Sequence, residues 1–294
     1  MTQADKVTET EIMRQPTWSP AGVGLAQQLD LPMAARGPAS YQREFVERYI
    51  PNESWLMPQD VAEELCRRGQ LREPQAAGTH ARKVFTQLLV DLSWNSSRLE
   101  GNRYSRHAAE KLLNRGPVRC DVDTVMLLNH KAAVEFLVDR VPQEGLSALV
   151  VRNLHAVLMQ DLLPDSGMLG GIRKRPVGIA GTLYSPMQAP DVLEQTLDSI
   201  AAKAALIRNP VEASLFFWVN LAYLQPFEGG NECTSRLAAN IPLLMHSCVP
   251  LSFLDVAPHD YERAMLGVYE LQNAALAVDL FTGTYRRSLS RYLS

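Results

Sequence analysis

Apolar residues recur every three to four positions through most of the chain after Val84, and this pattern restricts the fold more than any other feature. Caps, prolines and glycines separate the apolar runs. At Asn209, Pro210 and Glu212 an N-cap, a first-turn proline and an acidic third position agree on a helix start. The pattern predicts helices over about 83–94, 106–114, 123–139, 147–162, 191–207, 213–224 and 232–246, followed by two more. No internal repeat is visible, so we expect an all-α fold and not a solenoid.

Two segments depart from the helical pattern. Residues 170–184 combine β-branched residues with central glycines and give the only strand prediction in the sequence, a short β-hairpin. Residues 1–80 hold much of the proline and few periodic runs. We therefore expect an irregular N-terminal arm over 1–80, with short helices near 41–49 and 61–68, followed by a helical domain over 81–294.

The composition is that of an ordinary globular protein, with 46% hydrophobic and 21% charged residues among 294. A net charge of -3 and the lack of a basic stripe argue against a nucleic-acid partner. The first residues are polar and no apolar run has the length of a membrane span, so neither a secretory signal nor a membrane partner is expected. Four widely spaced cysteines, without a CxxC pair, favour a reducing cytoplasm and indicate neither a zinc site nor a disulfide framework.

The loop between the helices predicted over 213–224 and 232–246 is the most informative segment. Gly229 and Gly230 precede Asn231, which we expect to be the N-cap of the second helix. Unpaired backbone N–H groups and the positive end of the helix dipole would then face one point and form an anion site. Taken alone, the glycines favour a tight helix-loop-helix turn without a ligand.

This loop resembles the signature of the Fic family of protein AMP-transferases, His-Pro-Phe-x-Asp/Glu-Gly-Asn-Gly/Lys-Arg-x-x-Arg. Five residues stand where that signature has the same types: Pro226, Phe227, Gly230, Asn231 and Arg236. A second motif, Ser/Thr-x-x-x-Glu-Gly/Asn, is typical of Fic proteins with an N-terminal inhibitory helix. It is matched by Ser96, Glu100 and Gly101, within an inhibitory helix expected over about 83–100.

The resemblance implies the Fic (Fido) helical fold and assigns roles to residues. It implies a nucleotide site formed by Gly230, Asn231 and Arg236. It implies an ion pair between Glu100 and Arg236, by which the inhibitory helix blocks γ-phosphate binding. The hairpin would be the flap that holds an extended target segment, with contacts from Ile172, Val177, Ile179 and Tyr184. The basic run 173–175 at this flap would favour an acidic partner, although such a run is also typical of a solvated edge.

Four positions depart from the signature. Gln225 replaces the catalytic histidine, and Gly229 replaces the acidic residue that holds Mg²⁺. Glu232 replaces a small or basic residue, and Cys233 replaces the first arginine. Glu228 could serve as a metal ligand only if the loop were re-aimed. Three other histidines could supply a base, but each also fits an ordinary core or surface residue: His155, His246 and His259.

These departures lead to three hypotheses. The first is a degenerate Fic protein with little or no transferase activity, which binds a protein partner or a nucleotide through the inherited cleft. The second is an active, self-inhibited AMP-transferase that uses ATP with Mg²⁺ to modify Ser, Thr or Tyr hydroxyls. The third is a purely structural helical module. Under the first two hypotheses we expect a target protein to dock on the flap. The sequence leaves open whether the chain is a monomer or a homodimer.

Overall fold

The computed structural model of the chain describes residues 15–70, 76–116 and 121–294. Within these residues α-helices dominate, and the predicted all-helical fold is confirmed. The helices are α1 (Pro20–Leu29), α2 (Met33–Arg36), α3 (Glu44–Glu47), α4 (Gln59–Gly69), α5 (Thr79–Lys83), α6 (Phe85–Leu99), α7 (Arg106–Arg115), α8 (Val122–Glu144), α9 (Ala148–Met159), α10 (Pro190–Leu206), α11 (Pro210–Leu224), α12 (Asn231–Ala238), α13 (Asn240–Met245), α14 (Pro258–Leu271) and α15 (Ala275–Tyr292). Two short strands, β1 (Ala39–Ser40) and β2 (Tyr184–Ser185), pair in parallel.

Helix α11 is the centre of the fold, and all of its residues are buried. It packs against α10, α12 and α13 on several sides, because its sequence is apolar all round. Its start is fixed by the Asn209 side chain, which accepts from the backbone N–H groups of Val211 and Glu212 at 2.9 and 3.2 Å. It ends at Gln225, whose backbone is left-handed with φ of 52°. The buried helix α11 is therefore followed directly by the α11–α12 loop, which contains the motif residues.

Most helix ends that we predicted from capping residues agree with the structure, but one predicted helix is divided into two. Helix α7 begins after Ser105, whose side chain accepts from a backbone N–H group, and it ends at Gly116 with φ of 86°. The helix predicted over 232–246 is instead two helices, α12 and α13, joined at Ala239. Ala239 keeps right-handed backbone angles, so the two helices follow each other without a loop.

The predicted β-hairpin over 170–184 is wrong. Residues 172–183 contain no strand, and the end of the segment pairs through β2 with β1, far away in sequence. The physical reason is Arg173, whose backbone N–H group donates to the Pro226 carbonyl at 3.0 Å and whose side chain is 1% exposed. The segment is hydrogen-bonded to the α11–α12 loop instead of to itself. We call residues 170–188 the flap segment.

Residues 15–70 pack on the helical domain as part of the same hydrophobic core. Helix α1 lies against α14 and α15, and α4 lies against α11 and α15. Buried Glu212 at the start of α11 accepts from the Tyr49 hydroxyl at 2.9 Å and from the Leu56 backbone N–H group at 2.7 Å. The helix expected near 41–49 is the single turn α3, and the one near 61–68 is α4. No helix of the described segments has both the length and the apolar character needed to cross a bilayer.

Candidate functional site

The loop between α11 and α12 begins at Gln225, whose side chain is folded back onto its own helix. Its amide Nε2 donates to the Ala222 carbonyl at 2.8 Å, and the residue is 5% exposed. The left-handed backbone turns the Gln225 carbonyl toward the flap segment, where it accepts from Arg173 Nε at 2.6 Å. The side-chain amide and the backbone carbonyl of Gln225 are therefore both hydrogen-bonded inside the protein.

Asn231 closes this loop and does not cap the helix. Its Oδ1 accepts from the Phe227 N–H group and its Nδ2 donates to the Phe227 carbonyl, both at 2.9 Å. The N-cap is Gly230, with φ of 65°, so the prediction of Asn231 as N-cap is wrong. A Cβ atom at Gly230 would lie 2.2 Å from Met159 Sδ. Backbone angle and packing both require glycine there.

Gly229 and Glu228 form the partly exposed edge of the loop. A Cβ atom at Gly229 would meet Leu163 at 3.6 Å, an ordinary contact, so the site has room for a side chain. Glu228 Oε1 lies 3.3 Å from the backbone nitrogen of Lys174 and accepts from it. The one carboxylate of this edge is thus directed at the flap segment. These residues do not fit the Mg²⁺ ligand set that the resemblance implies.

Glu232 occupies the first turn of α12, where unpaired N–H groups and the helix dipole attract negative charge. Its Oε1 accepts from the Tyr269 hydroxyl at 2.8 Å, and its Oε2 lies 3.9 Å from an Arg236 guanidinium nitrogen. Burial raises the pKa of Glu232, and nearby Glu100 raises it further. The first turn of this helix therefore carries a carboxyl group of the chain itself, which contacts Tyr269 and Arg236.

Cys233 follows in the same turn and is buried. Its Sγ donates to the Gly230 carbonyl at 3.2 Å. Burial, and then the negative charge of Glu100, raise the pKa of this thiol far above its usual range. Cys233 remains a protonated, small packing residue and not a nucleophile.

Arg236 lies completely buried beneath this turn. It donates to the Ser96 hydroxyl at 3.2 Å and to the Ser96 carbonyl at 3.1 Å, and it forms an ion pair with Glu100. Its guanidinium carbon is 4.8 Å from the centre of the Tyr261 ring. Burial lowers the pKa of Arg236, but Tyr261 and Glu100 more than offset that effect, so the group stays charged. The structure thus brings together the residues of the two motifs, which are 136 positions apart.

Helix α6 carries Ser96 and ends at Glu100. Gly101, with φ of 87°, reverses the chain directly after it. Upstream on the same helix, the fully buried Asp91 accepts from Arg106 at 2.5 Å and from Arg291 at 2.9 Å. These ion pairs fix α6 against α7 and α15, so that its last turn faces Arg236.

His155 of α9 connects the loop to the flap segment. Its Nδ1 accepts from the Gly170 N–H group at 2.9 Å, so the proton is on Nε2, which donates to the Gly229 carbonyl at 3.0 Å. Its ring stacks on Phe227 at 3.9 Å between centroids. Burial lowers the pKa of His155 to about 4. With both nitrogens bound inside the protein, His155 has no lone pair free to take a substrate proton.

The predicted contact residues of the flap segment have different environments. Ile172, Val177 and Ile179 are partly exposed, whereas Tyr184 is 3% exposed. The Tyr184 hydroxyl donates to the Tyr223 carbonyl at 2.6 Å, and its ring stacks between neighbouring tyrosines. Tyr184 is therefore a core residue that anchors the end of the segment.

Arg173 is the residue of this region that sequence reasoning missed. It was expected in an exposed basic run, but its side chain also donates to the carbonyls of Arg175 and Met187. Lys174 and Arg175 are exposed as expected. The run of three basic residues carries no signal that tells which one is buried.

Comparison with known proteins agrees with this architecture. Residues 145–243 match the model of the Fic/DOC family. Fic-1 (aa134 - 508) from C. elegans is 18% identical with a TM-score of 0.63, over 85% of this chain and 71% of that one. A Fic domain containing signaling protein from Bacteroides thetaiotaomicron is also 18% identical with a TM-score of 0.63, over 79% and 95%. A Fic family protein from Desulfovibrio desulfuricans is 17% identical with a TM-score of 0.59, over 95% and 77%.

No curated protein matches the chain. At these identities the solved structures establish the fold, and the family model matches residues 145–243 alone. The region from residue 145 to 243 contains α9 to α12 and the flap segment, and so the whole loop described above. Residues 145–243 are therefore similar to the Fic/DOC family, and the chain has the Fic helical fold.

Proposed function

We propose that this chain is a degenerate Fic protein, related to ATP-dependent protein AMP-transferases, which has little or no transferase activity and acts by binding a protein partner. The observation that carries the proposal is the position of Glu232. Glu232 lies in the first turn of the helix at whose start a nucleotide phosphate would bind, and its Oε2 lies 3.9 Å from Arg236, which already forms an ion pair with Glu100. Little uncompensated positive charge is left for a triphosphate, because the carboxyl groups of Glu100 and Glu232 both face the one buried guanidinium.

The proposal also rests on the lack of a general base. An amide such as that of Gln225 takes no proton near neutral pH, and this one donates to the Ala222 carbonyl. Positioned general bases accelerate proton transfer by about 10² to 10⁴. His155, the histidine that contacts the loop, is neutral and has both nitrogens occupied.

Metal binding is disfavoured for a similar reason. Gly229 supplies no ligand, and Glu228 accepts from the flap segment. A bound Mg²⁺ would supply charge stabilisation of the transferring phosphate, which is worth several kcal/mol. The guanidinium that would help to hold the same phosphates is replaced by the buried Cys233.

Label transfer tests the proposal directly. The purified chain is incubated with α-labelled ATP and Mg²⁺, alone and with cell lysate, and stable label on protein would overturn the proposal. A restored variant carries Gln225→His, Gly229→Asp, Glu232→Gly and Cys233→Arg, and we expect it to bind ATP in a thermal-shift titration. A matched control has the same changes but keeps Glu232. Equal ATP affinity of the two variants would refute the role given to Glu232.

An active, self-inhibited AMP-transferase is the second candidate. The observation that favours it is the ion pair between Glu100 and Arg236, which is the contact expected of the inhibitory helix. Glu100→Gly would release Arg236 for a phosphate and should raise label transfer strongly if this candidate is right. We expect no label with this variant either, since the base and the metal ligand are still lacking.

A purely structural module is the third candidate. Ligands that bind the folded state raise its melting temperature in proportion to the logarithm of their concentration. A weak shift with ATP, ADP or AMP at millimolar concentration supports a binding site, and no shift with any of them supports the structural module.

The proposed protein partner docks on the flap segment. Ile172, Val177 and Ile179 offer partly exposed apolar groups, and Lys174 and Arg175 add exposed positive charge. An extended acidic segment fits this chemistry. Crosslinking from a photoreactive residue at position 177 should capture such a partner, and the same probe at exposed Leu149 on α9 is the control. We also propose a cytoplasmic location. We propose a homodimer as well, and light scattering tests this oligomeric state.

A further inference from the structure

Two cysteines that are distant in sequence meet where α4 contacts the segment after α13. Cys66 lies in the last turn of α4, and the chain beyond it reaches Gln70, which forms an antiparallel bridge with Cys248. Next to this bridge, the Val249 N–H group donates to the Gly69 carbonyl at 2.9 Å. The two backbones are thus joined beside the pair.

The side chains continue this contact. Cys248 Sγ donates to the His246 carbonyl at 3.7 Å. The neighbouring Cys248 thiol lowers the pKa of Cys66, whereas Cys66 and burial raise the pKa of Cys248. Tyr285 borders both sulfurs, and a Cβ atom at Gly69 would lie only 2.6 Å from the Tyr285 hydroxyl oxygen. Tyr285 therefore packs closely on the last turn of α4, beside the cysteine pair.

The two thiols differ in exposure. Cys66 is partly exposed, whereas Cys248 is fully buried. A dissolved oxidant therefore reaches Cys66 first, and Cys248 stands behind it as the second thiol. Reactive dithiol pairs have this arrangement of an accessible thiol with a lowered pKa beside a resolving one.

We propose that Cys66 and Cys248 form a peroxide-sensitive dithiol pair whose disulfide fastens the N-terminal arm to the helical domain. The Cys66 thiolate attacks one oxygen of a hydroperoxide, the O–O bond breaks, and water leaves after protonation. The resulting sulfenic acid is attacked by the Cys248 sulfur, and a second water leaves as the S–S bond forms. The two sulfurs lose two electrons in total, and hydrogen peroxide is reduced to two waters.

The bond would matter because of the loop that it closes. It spans about 180 residues, and closing long loops restricts the unfolded chain most. Helix α4 already packs against α11 and α15, and the crosslink would join it covalently to the segment after α13 as well. This inference concerns the arm and does not depend on the function proposed for the cleft.

The experiment uses the full chain with Cys120→Ser and Cys233→Ser, which leaves only this pair. After treatment with hydrogen peroxide, blocking of free thiols and digestion without reductant, we expect a peptide crosslinked between Cys66 and Cys248. The melting temperature should rise by roughly 5 °C or more, and dithiothreitol should reverse the rise. A third substitution, Cys66→Ser, is the control and should abolish both effects.

Three outcomes would overturn the inference. One is sulfinic acid at Cys66 without a crosslink. Another is a crosslink between chains instead of within one chain. The third is a crosslinked protein whose melting temperature is unchanged or lower, since the bond would then strain the arm instead of fastening it.

Discussion

Acidification from pH 8 to pH 5 should destabilise the protein partly through His155, the residue that joins the α11–α12 loop to the flap segment. Its pKa is about 4 in the folded protein, lowered by burial from an ordinary 6.5. Protonation would place a hydrogen on Nδ1, where the Gly170 N–H group already donates. Two donors would then face each other, and the connection between loop and flap segment would break.

The magnitude follows from the difference in pKa. The folded pKa is lower, so the unfolded chain binds more protons between the two values. The stabilisation is therefore complete above pH 6.5 and is lost as the pH falls toward 4. The pKa difference of His155 contributes about 3 kcal/mol to the free energy of unfolding, and about 2 kcal/mol of this is lost at pH 5. Burial raises the pKa values of Glu212 and Glu232, and these shifts act in the opposite direction.

Urea unfolding of the wild type and of His155→Gln at both pH values isolates the contribution of His155. The variant should be less stable at pH 8 by roughly 1 to 3 kcal/mol, because a buried partner loses its hydrogen bond. Its further loss on going to pH 5 should be about 2 kcal/mol smaller than that of the wild type. His259→Gln, at a side chain that is 76% exposed, is the control. Equal pH dependence of wild type and His155→Gln would refute this account.

Two further predictions concern the stability of the loop and of the flap segment, both measured by urea unfolding. Gly230→Ala should cost roughly 2 to 5 kcal/mol, through its left-handed backbone and the clash with Met159, whereas Gly229→Ala should stay within about 1 kcal/mol. Similar costs at the two glycines would contradict the loop geometry. Arg173→Met should cost roughly 2 to 4 kcal/mol by leaving buried carbonyls without donors, and Arg175→Met should cost little. Equal effects of the two arginine substitutions would show that Arg173 does not hold the segment.

The helices were predictable because their signals are local. Ser105 and Asn209 accept from N–H groups two or three residues away, and such contacts are encoded within one turn. The all-round apolar pattern of residues 213–224 likewise requires burial on every side, whatever its neighbours are. The approach of Glu100 to Arg236 came from a resemblance to known motifs, since nothing local connects the two positions.

Most contacts that sequence reasoning missed are between distant segments, and the exception is the pairing of Asn231 with Phe227, four residues away. Residues 172–183 have β-type composition, but hydrogen bonds from Arg173 to the loop outweigh that preference. Asn231 was expected to cap a helix, but its amide pairs with the Phe227 backbone. The role of His155 has no sequence signal either, because one histidine on an amphipathic helix does not reveal its partners.

Two sets of positions differ in their role in this loop: those that keep the Fic signature and those that depart from it. Phe227 is fully buried against His155, Gly230 supplies a backbone angle, and Asn231 ties the turn together. These contacts maintain the shape of the loop and need no ligand. The departures, such as Gln225 and Glu232, fall on positions that would take a proton or face a phosphate. A protein that keeps the shape while losing those groups can still hold the flap segment in place, as a binding surface requires. Loss of partner binding on Asn231→Ala, with binding unchanged by Gln225→Ala, is the result that this division predicts.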